Sequence, residues 1–405
     1  MTGHSRIFSV ALLVATLGYF VDVYDLVLFI VLKNPSLEGL GVPREQWLEV
    51  GAALLDTQMI GMLVGGLVWG VLGDKIGRTK VLFGSILLYS VANILNAFVH
   101  SIPSYHMYRA LAGFGLAGEL GAGVTLVAEI LPTSKRGYGT TIIATVGVLG
   151  AIIAGVTGEY LPWRASYVVG GLLGLFLLLV RVSVSESKMF ESTHAMDVAR
   201  GSLKLLISPP QRFCRYILCI VLGIPTWYVI GILVANAAPI AEALGVEGAP
   251  KPTFCLVWAY VGIMTGDAIG GLSSQLLKSR KWPMCAFLLL GLVSPLWFLM
   301  SNGMSVTEVY LHYLLMGFAA GYWILMLTSA TEQFGTNIRS TVTTTIPNFI
   351  RASVVPMNAA FLALRDGFQI INAAIVVGVV TSCLALVSLF FLKETFSQDL
   401  DFVER

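Results

Sequence analysis

Residues 70–80 read GVLGDKIGRTK, a short polar stretch between two long apolar runs. Gly70 and Gly77 permit a tight turn. Asp74 is placed to cap a helix start or to pair with a nearby guanidinium such as that of Arg136. A glycine-containing, charged loop between apolar runs predicts two membrane-crossing helices joined by a tight turn.

The composition extends this expectation to the whole chain. Of its 405 residues, 56% are hydrophobic and 12% are charged, with a mean hydropathy of +0.82, whereas soluble domains carry roughly 25% charged residues. One span needs about 20 mostly apolar residues, so the length accommodates a dozen spans and little else. The net charge of +2 comes from scattered basic residues, so no nucleic-acid partner is expected. The cysteines form no C-x-x-C pair, and neither a metal nor a cofactor is expected.

Apolar runs bounded by charges, Gly and Pro predict an all-α membrane protein of twelve spans. The predicted starts lie near residues 8, 50, 80, 105, 138, 165, 213, 252, 283, 306, 338 and 369. Lys and Arg are concentrated on every second connecting segment, and cytoplasmic loops carry that excess. Both termini are therefore expected in the cytoplasm.

Two stretches, after the fourth and the tenth span, match each other. The matches share one constant offset and are Glu129 and Glu332, Thr133 and Thr336, Arg136 and Arg339, Thr140 and Thr343, and Thr141 and Thr344. Membrane transporters are often built from such repeats. The chain is therefore expected to contain two six-helix halves, residues 1–182 and 213–392, with a cytoplasmic linker at 183–212 and a cytoplasmic tail at 393–405.

Residues 70–80 resemble the loop signature of the major facilitator superfamily, Gly-x-x-x-Asp-(Arg/Lys)-x-Gly-Arg-(Arg/Lys), with the last basic residue displaced to Lys80. The resemblance continues in Arg109-x-x-x-Gly113 and in Glu394-Thr395. It implies the major facilitator fold and transport by alternating access. With the repeat, it also implies a cytoplasmic gate made of Gly70, Asp74, Gly77, Arg78, Glu129, Arg136, Glu332 and Arg339.

The chain departs from the sugar porters of that family. Span seven lacks their Gln-Gln pair, and the second-half loop, from Gln275 to Lys281, lacks the aspartate. The organic-ion and metabolite:proton branches are therefore the closer likeness.

Ionisable residues inside spans are functional candidates, because an unpaired charge in hydrocarbon costs several kcal/mol. In proton-coupled relatives a span-one aspartate after tyrosine, here Asp25, faces a span-four arginine, here Arg109, and carries the proton. Asp25 ranks first as the proton site, Glu119 second and Asp22 third. A static pair that only holds the helices together is the alternative.

Arg351 is expected near the midplane of span eleven, where such carriers bind substrate. Its guanidinium suits a carboxylate bidentately, which favours an anionic substrate. The alternative is that Arg351 only balances a buried acid such as Asp22 or Asp267. The other predicted substrate-binding residues are aromatic, namely Tyr24, Trp227, Tyr228, Trp258, Tyr322 and Trp323.

Neither a nucleotide-binding loop nor a nucleophile–base motif occurs in the sequence, so an ATP-driven pump and an enzyme are both disfavoured. The sequence predicts a monomeric, multi-pass protein of a bacterial inner membrane. Its predicted function is proton-coupled symport of a small organic anion such as a carboxylate, with protons, the solute and the bilayer as partners. The alternatives are a proton-coupled antiporter that exports drugs or metabolites and, more distantly, a solute sensor without transport.

Overall fold

The computed structural model describes residues 2–131, 133–181 and 199–404, without the side chains of residues 2–11, 48, 133, 134, 136 and 366. Residues 183–198 of the predicted linker therefore lie outside the described part. Within it, the chain forms helices joined by short loops, with one isolated β-bridge between Glu247 and Ser305. The all-α prediction is confirmed.

In the described residues, 11 helices are long and apolar enough to cross a membrane. They are Leu12–Gly39, Arg44–Ile76, Arg78–Ala97, Ile102–Ile130, Gly137–Tyr160, Trp163–Val180, Pro210–Val234, Pro252–Leu277, Lys281–Met300, Val306–Glu332 and Gly367–Phe391. The first ten are spans one to ten, and the last is span twelve. Spans one to six form the first half, and spans seven to twelve form the second half.

Span eleven is the remaining crossing, and it is polar. It runs over Arg339–Ala352, is interrupted at Ser353 and continues from Val354. A left-handed residue, Gln369 (φ 68°), marks the kink towards span twelve. All but two of the 14 residues of Arg339–Ala352 are buried, so other helices, and not lipid, surround this segment.

Helix breaks repeat between the halves. Within the described ranges, four spans are broken once, into Ile102–Leu116 and Glu119–Ile130 (span four), Thr133–Gly147 and Leu149–Tyr160 (span five), Val306–Ala320 and Trp323–Glu332 (span ten), and Arg339–Ala352 and the helix from Val354 (span eleven). Gly118 and Gly321, in the breaks of spans four and ten, share the constant offset of the sequence repeat. The internal repeat is therefore also visible in backbone geometry.

The two halves meet where spans two and four contact span eleven and where span five contacts span eight. The approach is close because small residues line it. A Cβ on Gly70 would lie 3.0 Å from the Cα of Thr341, so even alanine would press on the span-eleven backbone. Gly70 was predicted to lie in the turn but lies inside the helix Trp47–Ile76. Gly77, between this helix and Arg78, has φ 107°, which favours glycine. The turn thus depends on Gly77, while Gly70 allows span eleven to approach closely.

We predict that Gly121→Ala separates spans four and eleven, because a Cβ there would lie 2.6 Å from the backbone nitrogen of Thr344. Gly123→Ala is the matched control on the same helix, since its Cβ would lie 3.6 Å from that of Ala15. Spin labels on the two spans, measured by double electron–electron resonance, should show a longer or broader distance for the first variant only. Equal distances in both variants would contradict this contact.

Candidate functional site

Asp74 holds the start of span eleven. Its Oδ1 accepts from the backbone N–H of Ser340 at 3.0 Å, and its Oδ2 accepts from the backbone N–H and Oγ1 of Thr341 at 2.8 and 2.7 Å. A carboxylate at a helix N-terminus satisfies free N–H groups and favours the helix dipole. Asp74 of the first half is thus the N-terminal cap of a second-half helix.

Glu129 joins arginines from both halves. Its Oε1 lies 2.9 Å from Nη2 of Arg78 and 3.3 Å from Nη1 of Arg339. Arg78 also lies 3.4 Å from Asp74, so Asp74, Arg78, Glu129 and Arg339 form one buried network, here called the gate cluster. Arg136 was predicted to belong to the gate, but its side chain lies outside the described set.

Glu332, the repeat partner of Glu129, pairs with Arg280 of the second-half loop at 2.8 Å. Glu394, after span twelve, accepts from the Ser279 hydroxyl at 2.5 Å and the Arg280 backbone N–H at 2.8 Å. Burial alone would raise the pKa of Glu394, but these hydrogen bonds outweigh it and leave that pKa below its usual range. Glu332 therefore belongs to a second network, which includes Arg280 and Thr395 of the second half.

The chain's last residues cover the gate cluster. The carbonyl of Leu400 accepts from Nη2 of Arg339 at 2.6 Å, and the carbonyl of Phe402 accepts from the backbone N–H of Thr336 at 2.8 Å. Glu404 pairs with Arg212 at 2.9 Å. On this face, which is predicted to be cytoplasmic, the halves are closed.

A small cavity lies between the halves. Its volume is about 30 Å³, and its walls are Tyr19, Val23, Leu26, Val148, Thr226, Trp227, Ile230, Tyr260, Ile263, Trp323 and Arg351. Solute pockets span about 300–1,000 Å³, whereas one water needs about 10–15 Å³. In this conformation the cavity is large enough for a water molecule but has no room for an organic solute.

Arg351, in the wall of this cavity, forms an ion pair. Its Nη2 lies 3.0 Å from Oδ2 of Asp22 in span one, and both residues are at most 2% exposed. Asp267, the other acid considered as its partner, instead accepts from the backbone N–H of Ile324 at 3.2 Å. Among the described residues, Asp22 Oδ1 and Arg351 Nε have no hydrogen-bond partner. The pair therefore has unused donor and acceptor capacity.

The structure places two of the six predicted aromatic residues in the wall of the cavity, namely Trp227 and Trp323. Tyr24, Tyr228 and Tyr322 do not line it, and their hydroxyls are bonded to Thr157 and Ser166, to Ala374 and to Leu222. Trp258 is 39% exposed on the outside of span eight, where lipid would contact it. Apolar composition marks these residues as membrane-embedded but does not give the direction of their side chains.

The expected pair of Asp25 and Arg109 is not formed in this conformation. Asp25 accepts from the side-chain amide of Asn93, and the guanidinium of Arg109 packs 4.6 Å from the ring centroid of Phe29. Within the described part of the chain, no nitrogen of the Arg109 guanidinium has a hydrogen-bond partner. Asn93 thus contacts only Oδ2 of the carboxylate, Oδ1 has no partner among the described residues, and aromatic faces surround the cation.

Glu119 is held in a tight pair inside the first half. Arg181 donates to its Oε2 at 2.5 Å and to its Oε1 at 2.9 Å, and the Ser85 hydroxyl donates at 2.7 Å. A proton on Glu119 would have to displace a bidentate partner, which argues against the role predicted for it. Arg181 and Asn93 were not recognised in the sequence, although each is a polar residue within or at the end of an apolar run.

Two broken six-helix halves, closed at one face around a central cavity, define a membrane transporter whose halves can rock about a fixed site. The chain belongs to the Major Facilitator Superfamily, whose family model matches residues 10–355. This agrees with the resemblance seen in residues 70–80 and with the expectation that the protein is not an enzyme.

Individual relatives support this membership. The chain is 25% identical over 412 residues, covering 96% of each protein, to the "Putative niacin/nicotinamide transporter NiaP" of Bacillus subtilis. It is 32% identical over 184 residues to a "Putative metabolite transport protein" of Haemophilus influenzae, but spans only 44% of that protein. The proton:xylose symporter XylE shares the fold, with a TM-score of 0.75 over 98% of both chains at 16% identity. Bacterial relatives agree with the predicted inner-membrane location.

We predict that Glu119→Gln lowers the thermal stability of the purified protein, because it leaves Arg181 buried with its neutralising partner removed. Breaking a buried pair costs about 3–5 kcal/mol. Combining Glu119→Gln with Arg181→Met should restore part of the loss, and exposed Glu242 provides the control Glu242→Gln. Unchanged stability with loss of proton-driven transport would instead identify Glu119 as the proton carrier.

Proposed function

We propose that this transporter is a proton-coupled symporter that takes up a small organic anion, such as a carboxylate, by alternating access. Its observed conformation would be the one closed at the gate cluster. The observation that carries the proposal is Arg351, a buried guanidinium in the wall of the cavity between the halves.

Arg351 favours an anion because its charge is permanent and its donors form a planar fork that matches a carboxylate. Its partner Asp22 belongs to the other half and makes one contact at 3.0 Å. An incoming carboxylate could therefore bind the remaining donors. A neutral sugar would offer this guanidinium no compensating charge.

Aromatic walls suggest the shape of the solute. Tyr19, Trp227, Tyr260 and Trp323 surround the cavity, and aromatic rings favour stacking on a flat apolar body. The Bacillus relative is named for niacin and nicotinamide, and niacin is an aromatic carboxylic acid. Nicotinate is thus the first probe to test, with nicotinamide as its neutral match.

Proton coupling is supported by buried carboxylates in span one, one of which pairs with Arg351 of the cavity wall. Asp22 and Asp25 lie one helical turn apart in span one, and each is at most 3% exposed. The fold neighbour XylE is a proton:xylose symporter. We place the proton on a span-one carboxylate, since Glu119 is held by Arg181.

Alternating access requires the gate cluster to come apart when the cavity opens on that side. On the opposite face, the halves are linked by Lys251 and Glu159 at 2.7 Å, an exposed pair. Water competes with exposed pairs much more than with buried ones. In the proposed cycle, the protein therefore opens easily on the face that contains Lys251. Opening on the face that contains the gate cluster needs a trigger.

The direction of transport is tested with the protein in liposomes and a proton gradient. With acid outside, we expect nicotinate to accumulate inside above its equilibrium level, and dissipating the gradient should abolish this. Expulsion of solute under the same gradient would favour the antiporter. Binding without flux would favour a sensor.

We predict that Arg351→Ala weakens nicotinate binding by about 30-fold or more, since a buried charged contact is worth about 2–5 kcal/mol. Nicotinamide binding should change much less, because it lacks the charge. The nicotinate affinity of Arg351→Lys should lie between those of Arg351→Ala and the unmodified protein, since lysine keeps the charge without the planar fork. Ligand-dependent thermal shifts measure all three, and unchanged nicotinate affinity in Arg351→Ala would remove the argument for an anion.

A further inference from the structure

We propose that Asp22 occupies the anion-binding position on Arg351 when no substrate is present, and that the substrate carboxylate displaces it. The released Asp22 then binds the proton that is carried with the anion. This inference rests on the proposed function and assigns the coupling to a specific pair of residues in opposite halves.

The contact geometry distinguishes this pair from the other buried pairs. Arg351 and Asp22 share one contact, at 3.0 Å, while Asp22 Oδ1 and Arg351 Nε are unpartnered among the described residues. Glu119 and Arg181 are bidentate, and Ser85 adds a third donor. A pair with unused donors and acceptors at a cavity wall can exchange one partner for another, whereas a saturated pair has no free position for a competitor.

Charge balance then requires a proton. In the empty cavity, one guanidinium faces one carboxylate, and the site is neutral. Entry of an anion alone would place two carboxylates beside Arg351, and like charges in a buried site strongly disfavour joint ionisation. A proton transferred from hydronium to Asp22 restores neutrality. One O–H bond of hydronium breaks, releasing water, and one O–H bond forms on the carboxylate, so one proton accompanies each anion.

Within the described residues, no other neighbouring group is as well placed as Asp22 to accept the proton. The titratable and charged groups that act on Asp22 or on its neighbours Tyr19, Asp25 and Tyr89 come from six spans. They are Arg351 in span eleven, Glu119 and Arg109 in span four, Tyr89 in span three, Arg181 at the end of span six, Tyr260 and Asp267 in span eight, and Tyr19 and Asp25 in span one. Asp267 accepts from the backbone N–H of Ile324. Glu119 is neutralised by Arg181. Phenols are neutral near pH 7. Asp25 accepts from Asn93, whereas Asp22 is the carboxylate that pairs with Arg351.

Coupling at Asp22 also determines when the two halves can rearrange. Asp22 joins span one to span eleven only while it is ionised, so substrate binding removes a link between the halves as it adds the proton. A bound anion without a proton, or a proton without an anion, would leave the cavity with an unbalanced charge. The halves therefore rearrange only when the site is empty and paired, or loaded with both.

The test is isothermal titration calorimetry of nicotinate on the full chain in lipid nanodiscs. Titrations in two buffers of different ionisation enthalpy count the protons taken up. Where Asp22 is ionised in the empty protein, we expect one proton per nicotinate and a dissociation constant that rises about tenfold per pH unit, as linkage requires. Asp22→Asn should take up no proton, lose this slope and bind nicotinate at least tenfold more tightly at alkaline pH.

Two further variants assign the proton. Asp25→Asn should keep the proton count and the slope if Asp22 is the acceptor. Loss of both in Asp25→Asn would overturn the inference and assign the proton to Asp25. Asp22→Glu, which keeps the acid, should retain proton uptake, and it supports the assignment even if Asp22→Asn fails to fold. Glu242→Gln serves as the surface control.

The outcomes separate this inference from the proposed function. If nicotinate binding depends on Arg351 but takes up no proton, the proposed exchange at Asp22 is overturned. The proposed anion site is still supported by that result. Retained proton uptake in Asp22→Asn would do the same. Failure of the unmodified protein to bind nicotinate and other aromatic or aliphatic monocarboxylates would overturn the anion site, and the exchange with it.

Discussion

Span eleven brings arginines, threonines and an asparagine into the interior of a membrane protein, and the structure is organised around satisfying them. A bilayer offers such groups no hydrogen bonds, so protein must supply them. The first half does this at both ends of Arg339–Ala352: Asp74 caps its first turn, and Asp22 pairs with Arg351. Between them, Asn348 donates to the carbonyl of Ala117 at 3.0 Å. The polar helix is thus bound to the opposite half along its length.

This arrangement divides the buried ion pairs into two kinds. Pairs within one half, such as Glu119 with Arg181 and Glu332 with Arg280, are bidentate and hold helices of that half together. Of the contacts between halves, the Asp22–Arg351 pair has one contact, whereas Asp74 accepts three hydrogen bonds from the start of span eleven. Taking charges out of water is costly and is repaid only by good geometry. Rigid halves joined by a densely bonded gate cluster and by one singly bonded pair near the cavity suit a transporter whose halves rock.

Much of the fold was readable in the sequence, and for definite reasons. Hydrocarbon demands long apolar helices, so composition alone revealed the spans. The repeated residues around Glu129 and Glu332 pointed to two halves, and the helix breaks at Gly118 and Gly321 follow the same offset. The polar span eleven was also predicted, with its start near residue 338 and Arg351 inside it. The boundaries of the halves and the placement of the termini remain predictions.

Side-chain partners were less predictable. The helical rise places Asp25 and Arg109 at compatible depths in the membrane. It does not give the rotation of one span relative to another. Asn93 and the ring of Phe29 took the places expected for the pair. Trp258 faces outward for the same reason: a helix that is apolar all round does not reveal which side meets lipid.

The sequence by itself determined that this chain crosses a membrane in two similar halves and carries charges where a transporter would use them, because apolar length and internal repetition are local properties of the chain. Only the tertiary structure decided that Arg351 pairs with Asp22, that Glu119 is held by Arg181 and that the cavity is closed. Those facts depend on how distant helices are rotated and tilted against one another, and packing of the whole protein sets that.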